Sequence, residues 1–333
     1  MFVTIGTKGI KGQIPRQDKA YSISLQIISV KVLEWAIGDV LMTDNDFDVR
    51  TDAFQQILAT NSRIVRISSG SQFTEGPVWV AQPGYLLFSD ISGNQIKRWA
   101  PEQGVSTWRE PSGNANGNTL DRQGRLITCE HGNRRISRTE RNGMVVTLAD
   151  NYLGKKLNSP NDAFVTSNGI IWFTDPPYGI DPEQAEQPKQ YVFRLDPDTG
   201  TLTPVAEDFE RPNGLCFSPN EKLLYIADSS VVRHHIRVFD VLTDDTLANG
   251  RLFATIDPGV PDGITIDTEG RVYSTAGDGI HVFDPQGHLL GKILLHRTTI
   301  NCTFGDIGKH TLFITANADV FSITLASTGS QNP

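Results

Sequence analysis

One motif recurs six times along residues 75–316 and restricts what this chain can fold into. The segments are "EGPVWVAQPGYLLFSD" from Glu75, "NGNTLDRQGRLITCE" from Asn116, "NDAFVTSNGIIWFTD" from Asn161, "NGLCFSPNEKLLYIAD" from Asn213, "DGITIDTEGRVYSTA" from Asp262 and "NCTFGDIGKHTLFITA" from Asn301. Each opens on a carboxylate or carboxamide, usually followed by Gly, then runs apolar, turns, and runs apolar again. Successive starts lie 41, 45, 52, 49 and 39 residues apart. Further alternating stretches such as "NQIKRWAPEQG", "QYVFRLDPDTG" and "IHVFDPQG" follow, ending in Asn-Gly, Asp-Pro or Pro-Gln-Gly turns, which makes about four short strands per period. A four-stranded unit repeated at this spacing is a propeller blade. The expectation is an all-β fold, a six-bladed β-propeller with an N-terminal extension.

The sixth unit ends too close to the C-terminus to complete a blade by itself. The strand-like run "SRIVRISSG" ahead of the first unit is expected to supply the missing outer strand and close the ring, leaving no open edge. Residues 1–50 lack the blade period and read as an extension, either an arm outside the ring or a translated leader with Met42 as the natural start. Residues 51–333 form the propeller domain in this reading.

Composition narrows the function. A net charge of −8 with no basic block argues against a nucleic-acid footprint. Cys129, Cys216 and Cys302 stand far apart, without the paired spacing of a disulfide framework or a zinc cluster. No run of about 18 apolar residues predicts a membrane span, and the N-terminus has no compact apolar core with a cleavage site. The expectation is a cytoplasmic protein with neither a nucleic acid nor a membrane as partner.

The residues that open the six units would form a ring around the propeller axis: Glu75, Asn116, Asn161, Asn213, Asp262 and Asn301. Turn chemistry alone favours Asn, Asp and Gly, but it would also admit Ser, Thr or Pro, and none occurs at these six places. Two carboxylates among carboxamides in a closed channel repel each other unless a cation lies between them. Hard oxygen donors of this kind suit Ca²⁺, Mg²⁺ or Mn²⁺. A second column, Asp90, Glu130, Asp175 and Asp228, gives way to Ala276 and Ala316. Its members are expected to accept hydrogen bonds from turn or neighbouring N–H groups. His131 beside Glu130 is a candidate substrate contact or proton shuttle, and Tyr178 of "DPPYG" could stack on or hydrogen-bond a sugar ring; a loop histidine and a tyrosine packed on Pro176 and Pro177 are the structural alternatives.

The segments "FTEGPVW", "NGNTLDRQGRLITCEHGNRRISR", "NSPNDAFVTSNGIIWFTDPPYG", "RPNGLCFSPNEKLLYIAD" and "PDGITIDTEGRVY" closely resemble the gluconolactonase branch of the SMP-30/gluconolactonase/luciferin-regenerating-enzyme family. The resemblance runs from about residue 52 to the C-terminus and implies a six-bladed propeller holding one divalent cation. It implies Glu75, Asn213 and Asp262 as cation ligands, Asn161 as a contact to metal or substrate, and Asp262 as general base. The implied reaction is metal-assisted hydrolysis of a sugar lactone, in which activated water attacks the ester carbonyl. Ca²⁺ is the first expectation for the cation, with Mg²⁺, Mn²⁺ and Zn²⁺ as alternatives. Asn116, His131 and Tyr178 are expected to line the substrate site with Asn161. The alternatives are another lactonase, a phosphotriesterase-type hydrolase, or a propeller binding module with a structural cation. Oligomeric state is left open.

Overall fold

A computed structural model gives the structure of the protein and describes residues 39–40 and 46–330. The Met42 reading falls outside these residues. Six sheets of four or five antiparallel strands make a six-bladed β-propeller. Their inner strands begin at Thr74, Ala115, Ala163, Pro212, Ile264 and Asn301. Thus the polar residue that opens each repeat stands at or just before the start of an inner strand.

Ring closure follows the expectation from "SRIVRISSG". Val65–Ser68 pairs antiparallel with Asp319–Thr324 as the fourth strand of the sixth blade. Two further strands were not legible in the repeat. Asp39–Val40 adds a fifth strand to this sheet, and Phe47–Val49 adds one to the fifth blade along Leu289–Leu294. Pairing with the propeller therefore begins before residue 51, where the sequence pattern drew the domain boundary. Such short edge strands carry too few residues to show a period of two.

The segment after Phe47–Val49 forms a six-residue helix, Asp52–Ile57. Thr51 caps it by accepting a hydrogen bond from the Phe54 N–H at 3.2 Å and donating to the Leu290 carbonyl at 3.1 Å. Phe54 and Ile57 are fully buried in the core of the fifth and sixth blades, with Tyr273, Ile293 and Phe321. Phe54→Ala is expected to cost about 3–5 kcal/mol, read as a lower urea midpoint. An unchanged midpoint would show that this helix is not integral to the propeller.

Apolar side chains fill the wedges between blades. Trp172 meets Phe217 edge-on at 5.2 Å between the third and fourth, and Trp79 stacks on Phe313 at 5.4 Å between the first and sixth. Nearer the axis the blades are joined by hydrogen bonds at every junction. Ser89 Oγ donates to the Asn116 carbonyl, Gly117 N to Asn161, Thr174 Oγ1 to Asn213, Gly214 N to Asp262, Gly263 N to Ile300, and Thr74 N to Asn317. Four of the six accept at a residue of the polar column. The site is therefore held by the same bonds that close the ring.

Candidate active site on the propeller axis

The Gly that follows the column residue is explained by the approach of the next blade. A Cβ on Gly117 would stand 2.5 Å from the Asn161 carbonyl oxygen, and one on Gly214 would stand 2.3 Å from that of Asp262. Neither contact is sterically allowed, so these inner strands converge only with Gly there. In three blades the pairing register also slips at this point, between Glu75 and Val78, between Ala115 and Asn118, and between Pro212 and Leu215. A bulge breaks the alternation of the strand and re-aims a side chain; here the bulged stretches hold Glu75, Asn116 and Asn213.

The column residues converge on a buried polar cluster. Asn301 Nδ2 donates to Glu75 Oε2 at 2.8 Å and to Asp162 Oδ2 at 3.2 Å, and the Gly76 N–H also donates to Glu75. Asn301 Oδ1 is engaged by the Cys302 N–H at 2.7 Å, so this amide acts as a donor between two carboxylates. Asn213 lies against Asp262. Asn161 is buried beside them and makes no side-chain hydrogen bond among the described residues.

Asp162 is the member that the repeat did not announce. It occupies the place where four other units carry Gly, and that departure in "ND" was the available signal. Its carboxylate contributes a third buried negative charge. Burial raises the Glu75 carboxyl well above its usual range, and repulsion from Asp262 and Asp162 raises it further. Burial and the Asp162 charge push Asp262 up to about 8, and burial pushes Asp162 up to about 7.

The oxygens available to a cation follow from this arrangement. Asn213 Oδ1 and Asp262 Oδ1 are buried and accept no hydrogen bond, as is Asn116 Oδ1. Unsatisfied buried acceptors beside mutually repelling carboxylates fit a bound cation, which would meet both deficits. Among the described residues no three His, Cys, Asp or Glu side chains form a metal cluster. The donor set is instead carboxylate with carboxamide, as hard divalent cations accept.

His131 and Tyr178 form the surroundings. Asn116 Nδ2 lies 2.9 Å from His131 Nε2, and burial pushes the imidazole down to about 4, so the ring is neutral at pH 7 with Nε2 accepting from the amide. Tyr178 is 42% exposed. Its hydroxyl faces Ser229, Asn213 and the Asp262 charge, and burial of that end pushes its pKa up to about 12. Ser159 fastens this loop by donating to the Pro176 carbonyl at 3.1 Å and accepting from Gly179 N at 2.7 Å. Arg211 lies over the Tyr178 ring, 5.3 Å from its centroid.

The second carboxylate column does what turn chemistry predicts. Asp90 accepts from Gln72 and Phe73, Asp175 from Asn158, and Asp228 from Glu210 and Arg211, all backbone N–H groups leading into inner strands. Glu130 differs, accepting instead from Arg135, Ser137 and Asn133 side chains. The three cysteines are free and buried. No helix among the described residues is long and apolar enough to cross a membrane.

Comparison with known proteins agrees with this architecture. Residues 73–318 match the SMP-30/Gluconolactonase/LRE-like region. A gluconolactonase from Zymomonas mobilis is 36% identical over 323 residues, 88% of each chain. A pentonolactonase from Haloferax volcanii is 25% identical, over 75% of this chain and 83% of its own. The solved structure of a gluconolactonase from Xanthomonas campestris superposes with a TM-score of 0.81 at 36% identity, covering 86% of this chain and 97% of that one. By its matched region, its full-length relatives and its six blades, this chain belongs to the SMP-30/gluconolactonase/LRE-like family.

Proposed function

We propose that the protein is a lactonase that opens sugar lactones such as glucono-1,5-lactone with the help of one divalent cation, Ca²⁺ first. The observation that carries this reading is the pair of unpartnered oxygens, Asn213 Oδ1 and Asp262 Oδ1, beside three crowded carboxylates and beneath the partly open Tyr178. The names of the Zymomonas and Xanthomonas relatives support the reaction class, and the Haloferax relative supports lactones of more than one size. Buried free cysteines are compatible with a cytoplasmic protein.

In this reading Glu75, Asn161, Asn213 and Asp262 hold the cation. When bound, the cation supplies Lewis acidity toward the ester carbonyl and lowers the cost of negative charge there. Asp262 takes the proton from the attacking water as the C–O bond forms, and returns it to the ring oxygen as the ester bond breaks. Asn116 Oδ1, held in place through His131, accepts from a substrate hydroxyl. The Tyr178 hydroxyl stays protonated across the neutral range and donates to the substrate. The neutral His131 ring orients Asn116 and adds no charge.

The test is acid release from glucono-1,5-lactone above its spontaneous rate, with protein stripped by chelator and resupplied in turn with Ca²⁺, Mg²⁺, Mn²⁺ and Zn²⁺. Activity is expected to vanish on chelation and to return with at least one cation. Folded protein inactive with every cation would overturn the reading for this substrate and leave other lactones, phosphotriesters and a binding module to be tried.

A further inference from the structure

Arg211 stands out among the charged residues near the site because it has no ionic partner. Among the described residues no carboxylate lies within ion-pair distance of its guanidinium, although the chain carries a net charge of −8. The acidic groups near it in sequence are engaged elsewhere. Asp228 accepts the Arg211 and Glu210 N–H groups and meets Arg233 at 3.4 Å, while Glu210 accepts from Ser230 at 2.5 Å and meets Arg233 at 3.7 Å. The backbone at Arg211 is therefore fixed on both sides, by Asp228 at its N–H and by the Ser229 N–H at its carbonyl.

That anchoring holds the guanidinium over the Tyr178 ring at 5.3 Å, two residues before Asn213. A guanidinium on an aromatic face keeps its N–H donors directed outward around its edge. Tyr178 is partly exposed, and its hydroxyl faces Ser229 and Asn213. A ligand that reaches the axial oxygens past Tyr178 thus meets a free cation at the entrance. Buried carboxylates just below would repel an anion, so a fixed positive charge here changes which substrates can enter.

We propose that Arg211, with Tyr178, forms an anion subsite that selects lactones carrying a carboxylate or phosphate remote from the ester. The proposal rests on the lactonase reading for its reaction, but the subsite also makes a binding prediction of its own. Guanidinium pairs with carboxylate and phosphate through two parallel hydrogen bonds, and either anion satisfies the same fork.

The experiment compares kcat/KM for 6-phosphoglucono-1,5-lactone, glucaro-1,4-lactone and glucono-1,5-lactone in the cation-loaded protein and in Arg211→Gln and Arg211→Lys. The wild type is expected to prefer an anionic lactone over the neutral one. Arg211→Gln should lower that preference by about tenfold or more, and Arg211→Lys, which keeps the charge but loses the two-pronged fork, should retain only part of it. The anion whose preference falls identifies the source of the charge. Equal losses for neutral and anionic lactones would reduce Arg211 to a support for Tyr178 and overturn the proposal, as would an unchanged ratio. Calorimetric binding of 6-phosphogluconate against gluconate gives a second readout that needs no turnover. If no lactone is hydrolysed yet Arg211→Gln abolishes the preference for 6-phosphogluconate, the lactonase reading fails and the subsite stands. Absence of any such preference in the wild type removes the subsite whatever the activity.

Discussion

Asp262→Asn is expected to lower kcat for lactone hydrolysis by at least about 10²-fold, the lower end of what a positioned general base contributes, while the propeller stays folded. The asparagine keeps the size of the side chain and leaves the backbone bonds intact: Asp262 N to Thr275 Oγ1 at 2.9 Å, and Gly214 N to the Asp262 carbonyl at 3.0 Å. What it loses is the proton acceptor and one of the negative charges that favour the cation. The two losses separate experimentally. At saturating cation, a kcat that stays depressed assigns the base role to Asp262, whereas recovery of kcat would leave Asp262 only as a ligand. Full activity without added cation would remove it from both roles.

The parts of this site that could be read in the sequence are those the repeat enforces. Six column residues occupy equivalent places because each opens an inner strand, and Gly follows most of them because the next blade passes within contact distance of that Cα. Such constraints recur at every junction and leave a periodic trace. Asp162 leaves the opposite trace, a carboxylate where the period calls for Gly, and its meaning emerges only when Asn301, 139 residues away, is seen to donate to it. Arg211 was equally silent. Its position over Tyr178 depends on two loops from adjacent blades, and no spacing within one chain segment encodes that encounter. The extra strands Asp39–Val40 and Phe47–Val49 escaped for a different reason, since they lie before the repeat and pair with strands more than 20 and 200 residues downstream, respectively. The Asp52–Ile57 helix is too short to display helical periodicity and owes its place to the burial of Phe54 and Ile57.

The buried carboxylates also fix how the cation and pH act together on stability. Without a cation, Asp162 and Asp262 have folded-state proton affinities raised from an ordinary 3.8 to about 7 and about 8. A carboxyl with a raised folded value contributes stability that is complete below its unfolded pKa and is lost as pH rises through the folded one. Cation-free protein is therefore expected to lose stability from about pH 4 to about pH 8, above which both groups are ionised in the folded chain as well. Each tenfold difference in proton affinity between folded and unfolded chain corresponds to about 1.4 kcal/mol. Asp175, raised to about 7 by burial away from the cluster, adds a slope of the same sign that a cation on the axis does not remove. His131, pushed down to about 4, acts with the opposite sign and mostly below pH 6.5. The diagnostic quantity is thus the difference in thermal midpoint between cation-loaded and chelated protein, followed across pH 6.5–9. It should widen from pH 6.5 to about 8 in the wild type and level off above that, because ionised carboxylates both destabilise the empty cluster and bind the cation more tightly. In Asp262→Asn the same difference should shrink and flatten, as one of the repelling charges is gone. A cation effect that is constant across this range would mean that the carboxylates on the axis are not what the cation neutralises.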